Sequence, residues 1–234
     1  MRYWFSFKQK IWEIINSKKK GAQIFMFHQV SNSINTWKDQ NISITKDSFN
    51  CFINTLLEKG FVFHALDELD IHTKKQDVYI TFDDIFQDVI DNAIPLLEKK
   101  KIPFCVFVSI DLIDQKGYIT FSQLDILKKN PLCSIGYHSY QHSLMRFISN
   151  EKKATESNPE PFENIIGKPI LYYAFPYGSF FACDNKGIKI AQAYPYRYMF
   201  STVRMRCNRN DLRRRRGFLP RININERNYK RYIK

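Results

Sequence analysis

The sequence predicts an α/β protein built on a parallel sheet with helices outside it, either open or closed into a barrel. Short apolar runs of strand length recur along the chain, helix-period stretches alternate with them, and the side chains with chemical potential gather where the runs end. In order, Q-I-F-M-F-H-Q-V (23–30) reads as a buried strand. S-F-N-C-F-I-N-T-L-L-E-K-G (48–60) reads as a helix opened near Thr45 and Ser48 and closed by Gly60. D-V-Y-I-T-F-D-D (77–84) is the next strand, 86–100 an amphipathic helix, F-C-V-F-V-S (104–109) a strand and 121–130 a helix. S-I-G-Y-H (134–138), L-Y-Y-A-F-P-Y-G (171–178) and M-F-S-T-V (199–203) complete the strands. In parallel α/β architectures, working residues sit at the carboxyl ends of strands. His28, Asp83, Asp84, His138, His142 and the turn Pro176-Tyr177-Gly178 all fall there.

The 234 residues, 44% of them hydrophobic, suffice for one domain with a full core and exclude fibrous and wholly disordered classes. Lys and Arg number 36 against 23 Asp and Glu, a formal +13, but the excess belongs to the ends. Residues 1–20 carry +5 and residues 201–234 carry +10, whereas 21–200 carry −2. The five cysteines form no C-x-x-C pair, as expected of a reducing compartment.

Lys8, Lys10 and Glu13 interrupt the first twenty residues before a signal-peptide core can form, and no window approaches a membrane span, so a cytoplasmic protein is expected. Trp4, Phe5, Phe7, Ile11, Trp12, Ile14 and Ile15 with interleaved lysines make a basic amphipathic helix. It suits the anionic inner face of a membrane, though packing against the domain is the more ordinary reading. The basic run R-C-N-R-N-D-L-R-R-R-R-G (206–217) fits glycan phosphates, a membrane surface or a solvated loop. Nucleic acid is the weakest partner, because no nucleic-acid-binding module accompanies the charge.

H-S-Y-Q-H (138–142) offers two imidazoles, and Asp84 adds a carboxylate. Such an N,N,O set suits a catalytic divalent cation, zinc first with cobalt or nickel as alternatives, leaving a coordination position for water. Two packing histidines would look the same. In T-F-D-D (81–84), one carboxylate can bind metal while the other takes a proton. A helix near 86 would equally welcome an Asp as its cap. F-P-Y-G (175–178) is a turn signal that can present the Tyr177 N–H to a developing oxyanion.

Together, T-F-D-D, I-G-Y-H-S-Y-Q-H-S-L and F-P-Y-G resemble the polysaccharide deacetylases, the NodB-homology or carbohydrate esterase family 4 proteins, over about 21–226. The resemblance implies a deformed (β/α) barrel domain over 21–226, which leaves the amphipathic helix at 1–20 and a basic tail at 227–234 on either side. It implies metal-dependent removal of an N-acetyl group from an N-acetylglucosamine-type sugar of a polysaccharide, and the basic ends add a lipid-linked glycan precursor as a fitting substrate. It assigns Asp84, His138 and His142 to the metal, Asp83 to the general base and the Tyr177 backbone to the oxyanion.

No His follows His142, so the late L-x-H acid of many members is missing; M-F-H-Q-V resembles a branch that opens on a strand-end His, making His28 the acid. The usual Gly-Tyr after T-F-D-D is Ile85-Phe86, which implies a narrower or more apolar entrance. No Arg stands just before F-P-Y-G, so Arg221 would orient the base unless it is solvated. His64 and His72 match nothing and are expected at the surface. A non-catalytic glycan-binding barrel and an amide hydrolase of a non-sugar substrate stay open as alternatives.

Overall fold

In the computed structural model, which describes residues 2–16, 18–34, 39–215 and 217–234, a parallel sheet curls on itself under a layer of helices. Its strands run in the spatial order β10 (Ile222–Asn223), β1 (Gln23–Phe27), β5 (Asp77–Asp83), β6 (Phe104–Val108), β7 (Cys133–Tyr137), β8 (Tyr172–Ala174) and β9 (Tyr198–Phe200). β4 (Val62–Phe63) pairs beside the start of β5, and β2 (Gln29–Ser31) pairs with β3 (Ser43–Thr45). The segment 219–223 spans both edges: Leu219 pairs with Phe200, while Ile222 pairs with Phe25. Closure therefore rests on short pairings, and the barrel is deformed.

β1, β5 and β6 are buried on both faces, which is why each reads as an almost continuous apolar run. Val78, Ile80 and Phe82 of β5, with Phe104 and Val106 of β6, face the helices. Tyr79, Cys105, Phe107, Tyr172, Ala174, Tyr198 and Phe200 fill the barrel. By the same alternation Thr81, Asp83 and His138 fall on the inner face. Gly136 is required on that face, because a Cβ there would lie 2.5 Å from the Phe107 ring.

The helices are α1 (Arg2–Ile15), α2 (Lys46–Glu58), α3 (Gln87–Asn92), α4 (Ile94–Lys99), α5 (Phe121–Lys129), α6 (Asn150–Ser157), α7 (Glu160–Ile166), α8 (Asn185–Ala191) and α9 (Arg209–Arg215). Thr45 caps α2 by accepting from the Ser48 N–H, and Thr120 forms a capping box with Gln123 on α5. α1 lies against the barrel through Trp12, edge-on to Phe180 at 5.8 Å. Its Gln9 Oε1 accepts the Phe180 N–H, and its Glu13 Oε1 accepts the Arg204 N–H. Residues 227–234 stay on the barrel, with Tyr229 buried and Tyr232 edge-on to Phe25 at 5.9 Å.

Several elements differ from the expected ones. The strand expected over 23–30 breaks at His28, and the helix expected over 86–100 divides at Ala93, where Pro95 lacks an N–H and crowds the preceding turn. Pro176 stops the strand expected over 171–178. Most of the run 206–217 is not loop but α9, with Leu212 and Asp211 buried and Asp211 paired with Lys19; Arg216 lies outside the described residues.

Gly136→Ala should destabilise the fold by about 1–3 kcal/mol through overpacking against Phe107. A chemical-denaturation midpoint equal to that of the unaltered protein would contradict this packing.

Candidate active site at the carboxyl ends of the strands

Asp83, the last residue of β5, points into the barrel and is 1% exposed. There it meets Arg221, which is fully buried rather than solvated. The two guanidinium NH groups donate to the two carboxylate oxygens at 2.6 Å each. Arg221 Nε donates to the Ser201 carbonyl at 3.1 Å, and the guanidinium lies over the Phe107 ring at 5.2 Å. Burial alone would raise the Asp83 carboxyl. Arg221, with smaller contributions from His138 and His28, more than offsets it and holds the group below the ordinary carboxylate range.

Asp84 turns back from the strand at φ 63°, and Ile85 follows at φ 40°, so the turn that usually contains glycine is made by a β-branched residue. Neither Asp caps the next helix: α3 starts after Phe86, with no side-chain cap. On the neighbouring loop, His138 Nδ1 donates to the Ala174 carbonyl at 2.7 Å. That leaves the Nε2 lone pair aimed at Asp84 Oδ1, 3.4 Å away. His142 Nε2 lies 3.1 Å from the same oxygen. Burial lowers the His138 pKa to about 4, against the pull of Asp83 and Asp84. Burial would also lower His142 and raise Asp84, but their mutual contact reverses both shifts.

Asp84 Oδ1 is nevertheless a buried acceptor without a well-formed hydrogen bond among the described residues. An oxygen acceptor faced by the lone pair of a neutral imidazole is repulsive unless a cation lies between them. One donor atom each from Asp84, His138 and His142 lies within 4.8 Å of the others, so this N,N,O set fits a divalent cation.

Nothing in the sequence signals what holds the loop 138–143. Glu156 of α6 is fully buried and accepts the Gln141 N–H and the Ser143 hydroxyl, both at 2.9 Å. Ser139 Oγ accepts the His142 N–H, bracing two residues at positive φ.

These groups border a cavity of about 470 Å³ that also contains His28 and Tyr177. His28 Nδ1 is buried and has no hydrogen-bond partner among the described residues. Tyr177 stands at φ 59° and Gly178 at φ 43°. Thr202 clamps their turn, donating its hydroxyl to the Tyr177 carbonyl and its N–H to the Gly178 carbonyl. The Tyr177 N–H makes no hydrogen bond among the described residues. Phe86, in the position where a tyrosine is usual, stacks on Tyr118 at 4.7 Å to form an apolar wall. A larger cavity of about 670 Å³ under α1 lacks comparable chemistry; its Asp184 is engaged with Lys153 and with the start of α8.

Residues 70–199 match the family described as polysaccharide deacetylase. A poly-beta-1,6-N-acetyl-D-glucosamine N-deacetylase of Staphylococcus aureus is 25% identical over 219 residues, spanning 83% of this chain and 72% of that protein. The structure of IcaB from Ammonifex degensii superposes with a TM-score of 0.77 at 20% identity, over 92% of this chain and 96% of the other. A Streptococcus pyogenes deacetylase solved with acetate gives a TM-score of 0.75 at 19% identity, over 88% and 92%.

Arg221→Met strands a buried carboxylate and should cost about 3–5 kcal/mol of stability. Replacing both partners, Asp83→Leu with Arg221→Met, should recover most of that loss. Equal unfolding midpoints for the single and double variants would show that the pair does not set the charge balance of the barrel.

Proposed function

The chain belongs to the polysaccharide deacetylase family, whose members hydrolyse linear amides, and on that premise we propose that it removes N-acetyl groups from a poly-N-acetylglucosamine-type glycan or its lipid-linked precursor. The observation that carries this reading is Asp84 Oδ1, buried and without a well-formed hydrogen bond among the described residues, facing two ring nitrogens beside an ionised Asp83. Asp84, His138 and His142 would hold a divalent cation, zinc by preference with cobalt or nickel as substitutes. When bound, such an ion supplies Lewis acidity toward a carbonyl oxygen and toward water.

Asp83, kept ionised by Arg221, accepts the proton of the attacking water on a carboxylate oxygen. Arg221 is a positioning residue: its two-point grip fixes the plane of that carboxylate. The Tyr177 N–H, unbonded among the described residues, donates to the oxyanion as it forms, and Thr202 keeps the turn in place. His28, at the strand end on the same cavity, delivers a proton to the departing sugar nitrogen. The Phe86–Tyr118 wall and the half-exposed Tyr177 ring offer faces for a pyranose, favouring a sugar over a non-sugar amide.

We further infer that α1 seats the enzyme on an anionic membrane. Phe5, Gln9, Trp12 and Glu13 turn to the barrel, so the packed and membrane-facing roles fall on opposite faces of one helix. The outer stripe is apolar, with Tyr3 90%, Phe7 61%, Ile14 68% and Ile15 74% exposed. At about 100° per residue, Lys8 and Lys10 fall on its two margins. Thr202 and Asn223 line both the catalytic cavity and the groove beside Lys10 and Ile14, so the docked helix would set the cavity mouth near the lipid surface. The five free thiols favour the cytoplasmic face.

Asp83→Asn should lower turnover of an N-acetylglucosamine oligomer about 10²–10⁴-fold while bound metal is retained. His138→Ala should lose metal and activity together. Because Asp83→Asn also leaves Arg221 without its counter-charge, rates belong well below its unfolding temperature. Unchanged turnover in that folded variant would remove Asp83 as the base. In sedimentation with phosphatidylglycerol vesicles, the protein should pellet, and Phe7→Ser with Ile14→Ser should release it without moving its melting temperature. Equal pelleting of the two proteins would detach α1 from the membrane.

A further inference from the structure

We propose that His64, Glu68 and His72 form a second divalent-metal site, at the amino-terminal end of the barrel. It is roughly 20 Å of strand away from the catalytic cavity, at about 3.3 Å per residue. The two histidines, expected at the surface, are half-buried there, and one donor atom from each of the three residues lies within 4.8 Å of the others.

The surroundings are arranged as they would be around a ligand set. His64 Nε2 lies 3.1 Å from Oδ1 of Asp77, the buried first residue of β5, whose other oxygen accepts the Lys74 N–H at 2.6 Å. With Nε2–H donating to Asp77, the lone pair of a neutral His64 resides on Nδ1, the nitrogen 3.7 Å from Glu68 Oε2. A carboxylate that holds one ring nitrogen and presents the other is the usual outer support of a metal-binding histidine. Glu68 is fixed in turn, its Oε2 accepting the Ala65 N–H at 3.1 Å. The buried Tyr79 hydroxyl donates to the His72 carbonyl at 2.7 Å and lies 3.4 Å from the Glu68 carbonyl, so one side chain anchors the backbone of two ligands.

The His72 ring lies flat on that of His64, with centroids 3.9 Å apart and planes 9° apart. To share an ion, one ring must leave the stack. That ring is His72, which makes no side-chain hydrogen bond among the described residues. Two imidazoles and one carboxylate, completed by water, suit a borderline ion such as Zn²⁺. The bound ion would tie residues 64–72 to the foot of β5, a structural role separate from the hydrolysis.

The test is equilibrium dialysis of untagged protein against Zn²⁺, with metal counted by elemental analysis. The unaltered chain should bind two equivalents, His138→Ala with His142→Ala one, and His64→Ala with His72→Ala one. The quadruple variant should bind none. Glu68→Gln, which preserves shape, should weaken the second site at least tenfold, and Zn²⁺ should raise the melting temperature of the His138→Ala/His142→Ala protein. If that folded protein binds no zinc while the unaltered chain binds one equivalent, the histidines are a stacked packing pair and the second site is wrong. If it keeps the single equivalent bound by the unaltered chain, the second site stands and the catalytic assignment fails instead.

Discussion

The buried pair between Asp83 and Arg221 is the interaction on which the working end of this barrel depends. Around it the inner face is apolar and aromatic, with Tyr79, Phe107, Tyr198 and Phe200 filling the space. A guanidinium in that interior is tolerable only with a counter-charge, and a carboxyl there would take up a proton without one. Each group therefore fixes the charge of the other. Because Asp83 ends a strand whose alternate residues face inward, the same pair anchors the turn that carries Asp84.

The site is also where backbone strain collects. Asp84, Ile85, Ser139, His142 and Tyr177 all hold positive φ, a conformation costing a non-glycine residue of order 1–3 kcal/mol. The histidine loop and the Tyr177 turn are held by polar contacts. Glu156 and Ser139 brace the histidine loop, Thr202 braces the Tyr177 turn, and the Ala174 carbonyl sets the His138 tautomer. The result is a cavity in which Asp84 Oδ1 and His28 Nδ1 make no well-formed hydrogen bond among the described residues.

Much of this was legible in the sequence, for physical reasons. Strands buried on both faces leave apolar runs that are easy to find, and strand ends in parallel sheets locate the chemistry. His28, Asp83, Asp84, His138, His142 and Tyr177 accordingly meet in one cavity. Arg221 was legible only as a candidate, since a lone arginine near the end of a basic chain carries no sign of being buried. Glu156 was invisible, because in N-E-K-K-A-T-E-S it looks like any solvated helix face. The division of 86–100 at Ala93 was missed because the apolar period continues through Pro95 while the hydrogen bonding does not. The α1 helix posed two readings that exclude one another only if the helix has one apolar face; it has apolar side chains on both, with Trp12 packed on Phe180 and Phe7 and Ile14 exposed on the other side.

The most direct measurement is acetate release by the unaltered protein from a β-1,6-linked N-acetylglucosamine oligomer, followed before chelation, after chelation, and after zinc is restored. Release that stops on chelation and returns with zinc is the predicted result. A fully metal-loaded, folded protein that frees no acetate from this oligomer, or a metal-free protein that frees it undiminished, would contradict the assignment.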